Sequence, residues 1–253
     1  MPSRTIQTLC WLDMGEFNNA FLRKMTMFKK IARTAACLLI VASANALAGE
    51  KLSKIFDPEM LGANLSYFEK ISGPAKNTFS YSKGKKNNIY KIEGCEVTVE
   101  VSNGSIESFG LNGLSPKCSF NMNKFLPNMT GLPPLYSMTF GQFDSATGGG
   151  LYGADCLMGC GAAAESNAYA VWQASMADNA HEVQVGVTLS DPVWDAASKW
   201  LDAMRKGESE DWIIDRKFVC NKKYNPFAQK AFKDVRITSV KIGTGLIKPA
   251  CTP

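Results

Sequence analysis

The sequence predicts an α+β fold with mainly antiparallel pairing, about three helices and a disulfide-reinforced core. Three observations carry that expectation. Val97, Val99 and Val101 alternate with Glu96, Thr98 and Glu100, and Val183, Val185, Val187 and Leu189 repeat the pattern; this is the two-residue period of half-buried strands. Asp57-Pro58, Asp191-Pro192 and Asn225-Pro226 each place a polar capping residue before a proline, which marks a helix start. Cys95, Cys118, Cys156, Cys160, Cys220 and Cys251 remain after residue 48, an even number that reads as a disulfide framework in an exported chain.

Export is read from the N-terminal segment. Met27-Phe28-Lys29-Lys30 opens a basic stretch that includes Arg33, and the apolar run Ala35–Ala42 follows. Two small-residue sites, Ala44-Asn45-Ala46 and Ala46-Leu47-Ala48, close it. A charged start, short apolar middle and small-residue end form a signal peptide cleaved after Ala48. The run is too short for a bilayer-spanning helix, which needs about 20 apolar residues, so no membrane span is expected in the mature chain. Met27 makes a better start than Met1. Residues 1–48 hold six Lys/Arg and two acids, so the formal +5 falls to 22 basic against 21 acidic residues beyond them. Displacing counterions from phosphates needs clustered positive charge; only Lys83/Lys85/Lys86 and Arg216/Lys217/Lys222/Lys223 cluster, and they read as solvated loop or strand-edge residues that discourage edge-to-edge pairing, so nucleic acid is not an expected partner.

The elements follow in order. Asp57 caps a helix to Ile71, with Met60, Leu61, Leu65, Phe68 and Ile71 on one face and Ser72-Gly73-Pro74 as its stop. Ile89–Ile92 is a short strand, and Asn103-Gly104 supplies the two positive-φ residues of a hairpin turn leading to Ile106, Phe109 and Leu111. The polar face with Glu96, Glu100 and Glu107 meets water. Residues 112–134 are irregular and rich in proline. Leu135–Phe143 reads as a strand, residues 147–153 as a glycine-rich loop, and Ala168–Ala174 as a strand with a short helix as the alternative. His181–Leu189 is a strand. The helix from Asp191 carries Val193, Ala197, Trp200, Leu201 and Met204 and ends at Gly207, leaving Trp194 beside the buried stripe as an exposed contact. An acidic turn, Glu208–Asp211, leads to Trp212–Cys220 as a strand; Asn225-Pro226 starts a third helix, and Val235–Ile242 closes the sheet. The organisation expected is a removed segment 1–48, a helix-plus-meander subdomain 49–115 and an α+β subdomain 116–253. The cysteines, paired with nearest neighbours in sequence, give Cys95–Cys118, Cys156–Cys160 and Cys220–Cys251.

The order of helix, Gly73-Pro74 and hairpin across Asn103-Gly104 in residues 55–111 resembles small periplasmic modules of the beta-lactamase-inhibitor-protein and SmpA/OmlA type. The resemblance covers about a quarter of the chain and rests on layout rather than a residue signature. It implies a binding or assembly role on an exposed sheet face.

Candidate chemistry is sparse. Gly148-x-Gly150-x-x-Gly153 matches a dinucleotide-loop string, which needs a strand before it and a helix after it; a cysteine-glycine loop follows instead, and no cofactor is expected. Cys156-x-x-x-Cys160 is one residue longer than the redox motif. A zinc site needs three or four ligands, and the only histidine, His181, offers at best one more, so a structural disulfide is expected. His181 is the only histidine, and its place at a strand entrance suggests an exposed polar residue. The acids Asp144, Asp155, Glu165 and Asp178 could pair for glycoside or peptide hydrolysis, with Tyr152, Tyr169 and Trp172 lining a groove or simply filling the core. The expected function is an exported, non-enzymatic binding or envelope-associated protein, periplasmic or secreted, with an envelope protein or small ligand as partner. The contact falls on the sheet face of Glu96–Glu107 or on residues 144–161. The alternative is a hydrolase of envelope polysaccharide or peptide using the carboxylates of 144–178.

Overall fold

The computed structural model describes residues 50–81, 84–126, 131–160, 166–174 and 181–247. Helix α1 (Glu50–Ile55) and α2 (Leu65–Ser72) precede strands β1 (Asn77–Ser80), β2 (Lys85–Ile92), β3 (Cys95–Ser102) and β4 (Ser105–Asn112). Helix α3 (Phe140–Thr147) leads to β5 (Leu151–Ala154), β6 (Asn167–Gln173) and β7 (Glu182–Thr188); α4 (Asp191–Arg205), α5 (Glu210–Ile214) and α6 (Asn225–Phe232) then precede β8 (Ser239–Gly243). The α+β class and the antiparallel sheet agree with the sequence reading.

All eight strands form one sheet in the order β1-β2-β3-β4-β8-β7-β6-β5, antiparallel throughout. Two meanders therefore meet at β8. The subdomain boundary expected near 115 falls in the irregular stretch between β4 and α3, and strands from both sides of it share this sheet.

Directly opposite residues of antiparallel strands point to the same face, so the register sorts the side chains. One rung runs Tyr90, Val97, Leu111, Val240, Val185, Ala170, Tyr152 across seven strands, and each member is at most 2% exposed. It lies in an apolar core that also holds Phe68 of α2, Phe140 and Phe143 of α3, Trp200 of α4 and Phe232 of α6. Burying an aliphatic or aromatic side chain contributes roughly 1.5–3 kcal/mol, which is why the valine alternation set the strands so legibly.

The hairpin turn is as expected, with φ of 51° at Asn103 and 84° at Gly104, as the right-handed twist of paired strands requires. Four expectations need correction. The helix expected over 57–71 is broken. Asp57 does cap a turn, accepting from the Glu59 amide at 3.1 Å, but that turn ends at Met60. Gly62 then adopts φ +80° and Asn64 caps α2 anew. Leu135–Phe143 is not a strand: Leu135–Ser137 is a 3-10 turn, and Thr139 and Gln142 form a reciprocal capping box that starts α3. Trp212–Cys220 is also helical, as α5 and the 3-10 turn Lys217–Cys220, with Ser209 accepting from the Trp212 amide. The closing strand begins at Ser239, later than the expected Val235.

Cys95–Cys118 and Cys156–Cys160 are disulfides, with Cα–Cα distances of 5.5 and 5.7 Å. Cys220 is also disulfide-bonded; Cys251, expected as its partner, lies outside the described residues, as do Ala48, Glu165 and Asp178. Among the described residues no helix is long and apolar enough to cross a membrane.

Candidate functional site

The second face of the sheet is polar, and a groove lies along it. One rung on this side runs Ile89, Thr98, Gly110, Lys241, Gln184, Val171, and the next runs Lys91, Glu96, Asn112, Ser239, Gly186, Tyr169, Gly153. The contrast with the core rung follows from the two-residue period: each buried valine of β3 has a polar neighbour pointing the other way. Over these rungs lies a cavity of about 880 Å³, and a second of about 560 Å³ adjoins it, the two sharing Asp155, Tyr169, Gln184 and Lys241. The segment Asp234–Thr238 and the first turn of α4 stand at one end, and Thr244–Leu246 at the other.

The floor is kept low by glycine. A Cβ at Gly186 would sit 2.6 Å from Ser239 Oγ, and one at Gly110 2.9 Å from Thr98 Oγ1. At Gly153 the ring of Tyr169, its cross-strand partner, occupies the space a side chain would fill, with ring carbons 2.4 and 2.6 Å from that position. The aromatic covers the bare glycine and is thereby fixed in orientation. Tyr169 is 7% exposed. Burial, reinforced by the Asp155 charge and opposed by Arg216, pushes its hydroxyl up to about 12.

Charges on this face are partly matched. Lys241 Nζ is 2.9 Å from Glu100 Oε1, and Ser108 Oγ donates to Glu100 Oε2 at 2.9 Å. Burial pushes the Glu100 carboxyl up, but Lys241 and Ser108 together outweigh it and hold the group below its ordinary range. Lys85 and Glu107 pair at 2.8 Å. Glu96, Asp155 and Arg236 also line the groove without an ion pair among the described residues. Such a surface offers donors, acceptors and both signs of charge over a flat floor, suited to a hydrophilic ligand or protein segment laid across it. At the far side Glu182, only 6% exposed, accepts from the amides of Leu246 and Ile247 and holds the chain after β8 against the sheet.

The residues singled out from sequence distribute unevenly. Glu96, Glu100, Glu107 and Asp155, taken from two separate candidate regions, come together on the polar face. Asp144 does not join them. It lies on α3 on the core side, where its carboxylate accepts from Tyr152 Oη at 2.7 Å and from the Gly150 amide at 3.1 Å. Burial pushes its pKa up, against the lowering effect of those two bonds. The two described members of the acid set thus occupy opposite sides of the sheet. Tyr152 is fully buried core, and Trp172 packs against that core.

The glycine string runs the wrong way for a phosphate loop: Gly148 ends α3 in the left-handed conformation and Gly153 lies within β5, so helix precedes strand. His181 is buried at 7% exposure rather than exposed. Its Nε2 lies 2.8 Å from the Phe125 carbonyl oxygen, which only accepts, and its ring meets Phe125 and Trp172 edge-on at 5.8 and 6.3 Å. Trp194 is 37% exposed, as its offset from the stripe suggested. Among the described residues no three His, Cys, Asp or Glu side chains are placed to hold a metal ion. Gln184, Ser239 and Lys241 are groove residues that sequence reasoning missed; their one signal was a position between the apolar residues of β7 and β8.

No protein-family model and no curated protein matches the sequence. Among solved structures, a cysteine-rich secretory protein from Staphylococcus aureus aligns over 74% of this chain and 45% of its own, at 12% identity and a TM-score of 0.35. An extracellular protein containing an SCP domain from Bacillus anthracis aligns over 73% and 44%, at 7% identity and a TM-score of 0.33. The chain spans less than half the length of either. Scores of this size establish no shared fold.

Proposed function

We propose that this is an exported, non-enzymatic binding protein, periplasmic or secreted, that holds its partner in the groove on the polar face of the sheet. The carrying observation is the groove itself: a glycine-floored, mixed-charge surface opposite a predominantly apolar core. Export is supported by the signal-peptide pattern before residue 49 and by the disulfides, which persist in oxidising compartments. The resemblance of residues 55–111 to small periplasmic modules implies a contact on a sheet face. Of the acids named for a hydrolase, the two among the described residues, Asp144 and Asp155, do not converge.

The test is affinity capture from envelope and extracellular fractions with three proteins: the native chain, a Thr98→Arg/Gln184→Arg variant that fills the groove, and a Lys199→Glu variant on α4 as control. A partner retained by the native chain and the control and lost by the groove variant is the expected result. Recovery of nothing above background, or equal recovery by all three, would refute the proposal.

A further inference from the structure

The two edges of the sheet are treated differently. At the β5 edge, side chains of other elements cover the strand and take up part of its backbone. Asn225 Oδ1 accepts from the Tyr152 amide at 3.4 Å, Asn225 Nδ2 donates to the Gly150 carbonyl at 3.2 Å, and Arg216 donates to the Asp155 carbonyl at 3.3 Å. Tyr152, Gly153 and Ala154 are buried there. At the β1 edge all four residues, Asn77 to Ser80, are exposed. This strand holds no charge and no proline, two of the devices by which exposed edges are normally kept from pairing, and its register with β2 is unbroken from Asn77 to Ser80, the Lys76 amide just before it bonding the Ile89 carbonyl one residue out of step. Phe79 is 50% exposed, and Tyr81 just beyond it is 60% exposed.

We infer that β1 pairs with β1 of a second copy, joining two sheets across a two-fold axis at Phe79. The phase of the ladder supports this register. Tyr81 donates its amide to the Lys85 carbonyl at 2.8 Å, so Asn77, Phe79 and Tyr81 turn their backbone groups toward β2. Alternation then directs those of Thr78 and Ser80 to the free edge. A two-fold axis at Phe79 sets Thr78 opposite Ser80 of the other copy twice over, which forms four backbone hydrogen bonds. The two Phe79 side chains become a non-hydrogen-bonded cross-strand pair, the closer kind, on the polar face. A charged strand would oppose itself across such an axis; this one is neutral. Because the β5 edge is covered, pairing ends at two copies and does not propagate into a filament. The two grooves would then lie on the same face of one continuous sheet. A four-residue contact gives a weak dimer, so association belongs to high concentration.

Sedimentation velocity on the chain as recovered from cells, from micromolar to millimolar concentration, tests this. The weight-average mass should rise toward twice the monomer value. It should stay monomeric in Ser80→Pro, which removes one outward amide at an edge position that tolerates proline, and in Phe79→Lys, which sets like charges across the axis. Unchanged thermal unfolding in both variants shows that the fold survives. A native chain that stays monomeric throughout, as it would if this edge served a strand from a different protein, overturns the inference. So does a dimer that both substitutions leave intact.

Discussion

At the scale of single residues, two tyrosines from the sheet each reach an acid on the helix above. Tyr152 donates to Asp144 of α3, and Tyr90 donates to Glu69 of α2 at 3.1 Å. Burial raises the pKa of both hydroxyls, and the neighbouring carboxylate raises it further, so both remain donors at any ordinary pH. Tyr152→Phe leaves the half-buried Asp144 with the Gly150 amide alone, and should cost about 1–3 kcal/mol in denaturant unfolding. The pH dependence has a definite sign. Asp144 titrates higher when folded than when unfolded, so its contribution is greatest below the unfolded carboxylate pKa and is lost as pH rises through the folded one. Removing the Tyr152 donor should raise the Asp144 pKa further, as an NMR titration would record. Glu100 behaves oppositely. Its depressed pKa contributes stability above the unfolded value that is lost as pH falls through the folded one. In Lys241→Met, burial loses its main opponent, and the Glu100 pKa should move upward by NMR. None of these pairings was legible beforehand, because Asp144 and Tyr152 look locally like a loop acid and a groove aromatic. His181 shows the same limit: the loop that buries it, around Phe125, lies 56 residues away in sequence.

At the scale of elements, local chemistry was legible where hydrophobic period and turn residues agreed. The β3–β4 hairpin, β7 and the proline-started helix α4 had both signals, while α6 had only its Asn225-Pro226 start. No strand forms over 135–143 because Leu135–Ser137 closes a 3-10 turn and a helix starts at Phe140. The Thr139/Gln142 capping box between them was the better signal. Trp212–Cys220 holds the β-favouring residues Trp212, Ile213, Phe218 and Val219, yet Ser209 caps a helix there and Ile213, Phe218 and Val219 bury their side chains from helical turns. The helix break at Gly62 is testable directly. A Cβ there would meet nothing within 4 Å, so Gly62→Ala probes the backbone alone. It should destabilise by about 1–2 kcal/mol, the cost of a left-handed alanine, by thermal or denaturant unfolding. No loss would mean that the chain turns there in another conformation.

At the scale of the molecule, strand order reads alike from both edges: helix and meander in residues 65–112, helix and meander again from 140, with α4, α5 and α6 inserted before β8 fills the centre. The sequence showed the first meander clearly but could not place β8, since pairing between β4 and β8 joins residues more than a hundred positions apart. The disulfides reinforce this frame unequally. Loop-closure entropy assigns about 3 kcal/mol to Cys95–Cys118 and about 2 kcal/mol to the shorter Cys156–Cys160. Paired serine substitutions should therefore lower stability more at Cys95/Cys118, where Cys95 is also 1% exposed. Carboxyl footprinting of the protein in its native compartment, compared with the purified chain, bears most directly on the polar face. Lower labelling at Glu96, Asp155 and Glu107, with Asp195 and Asp202 on α4 unchanged, is the expected result. Equal labelling of all five, or protection confined to α4, would contradict a partner held in the groove.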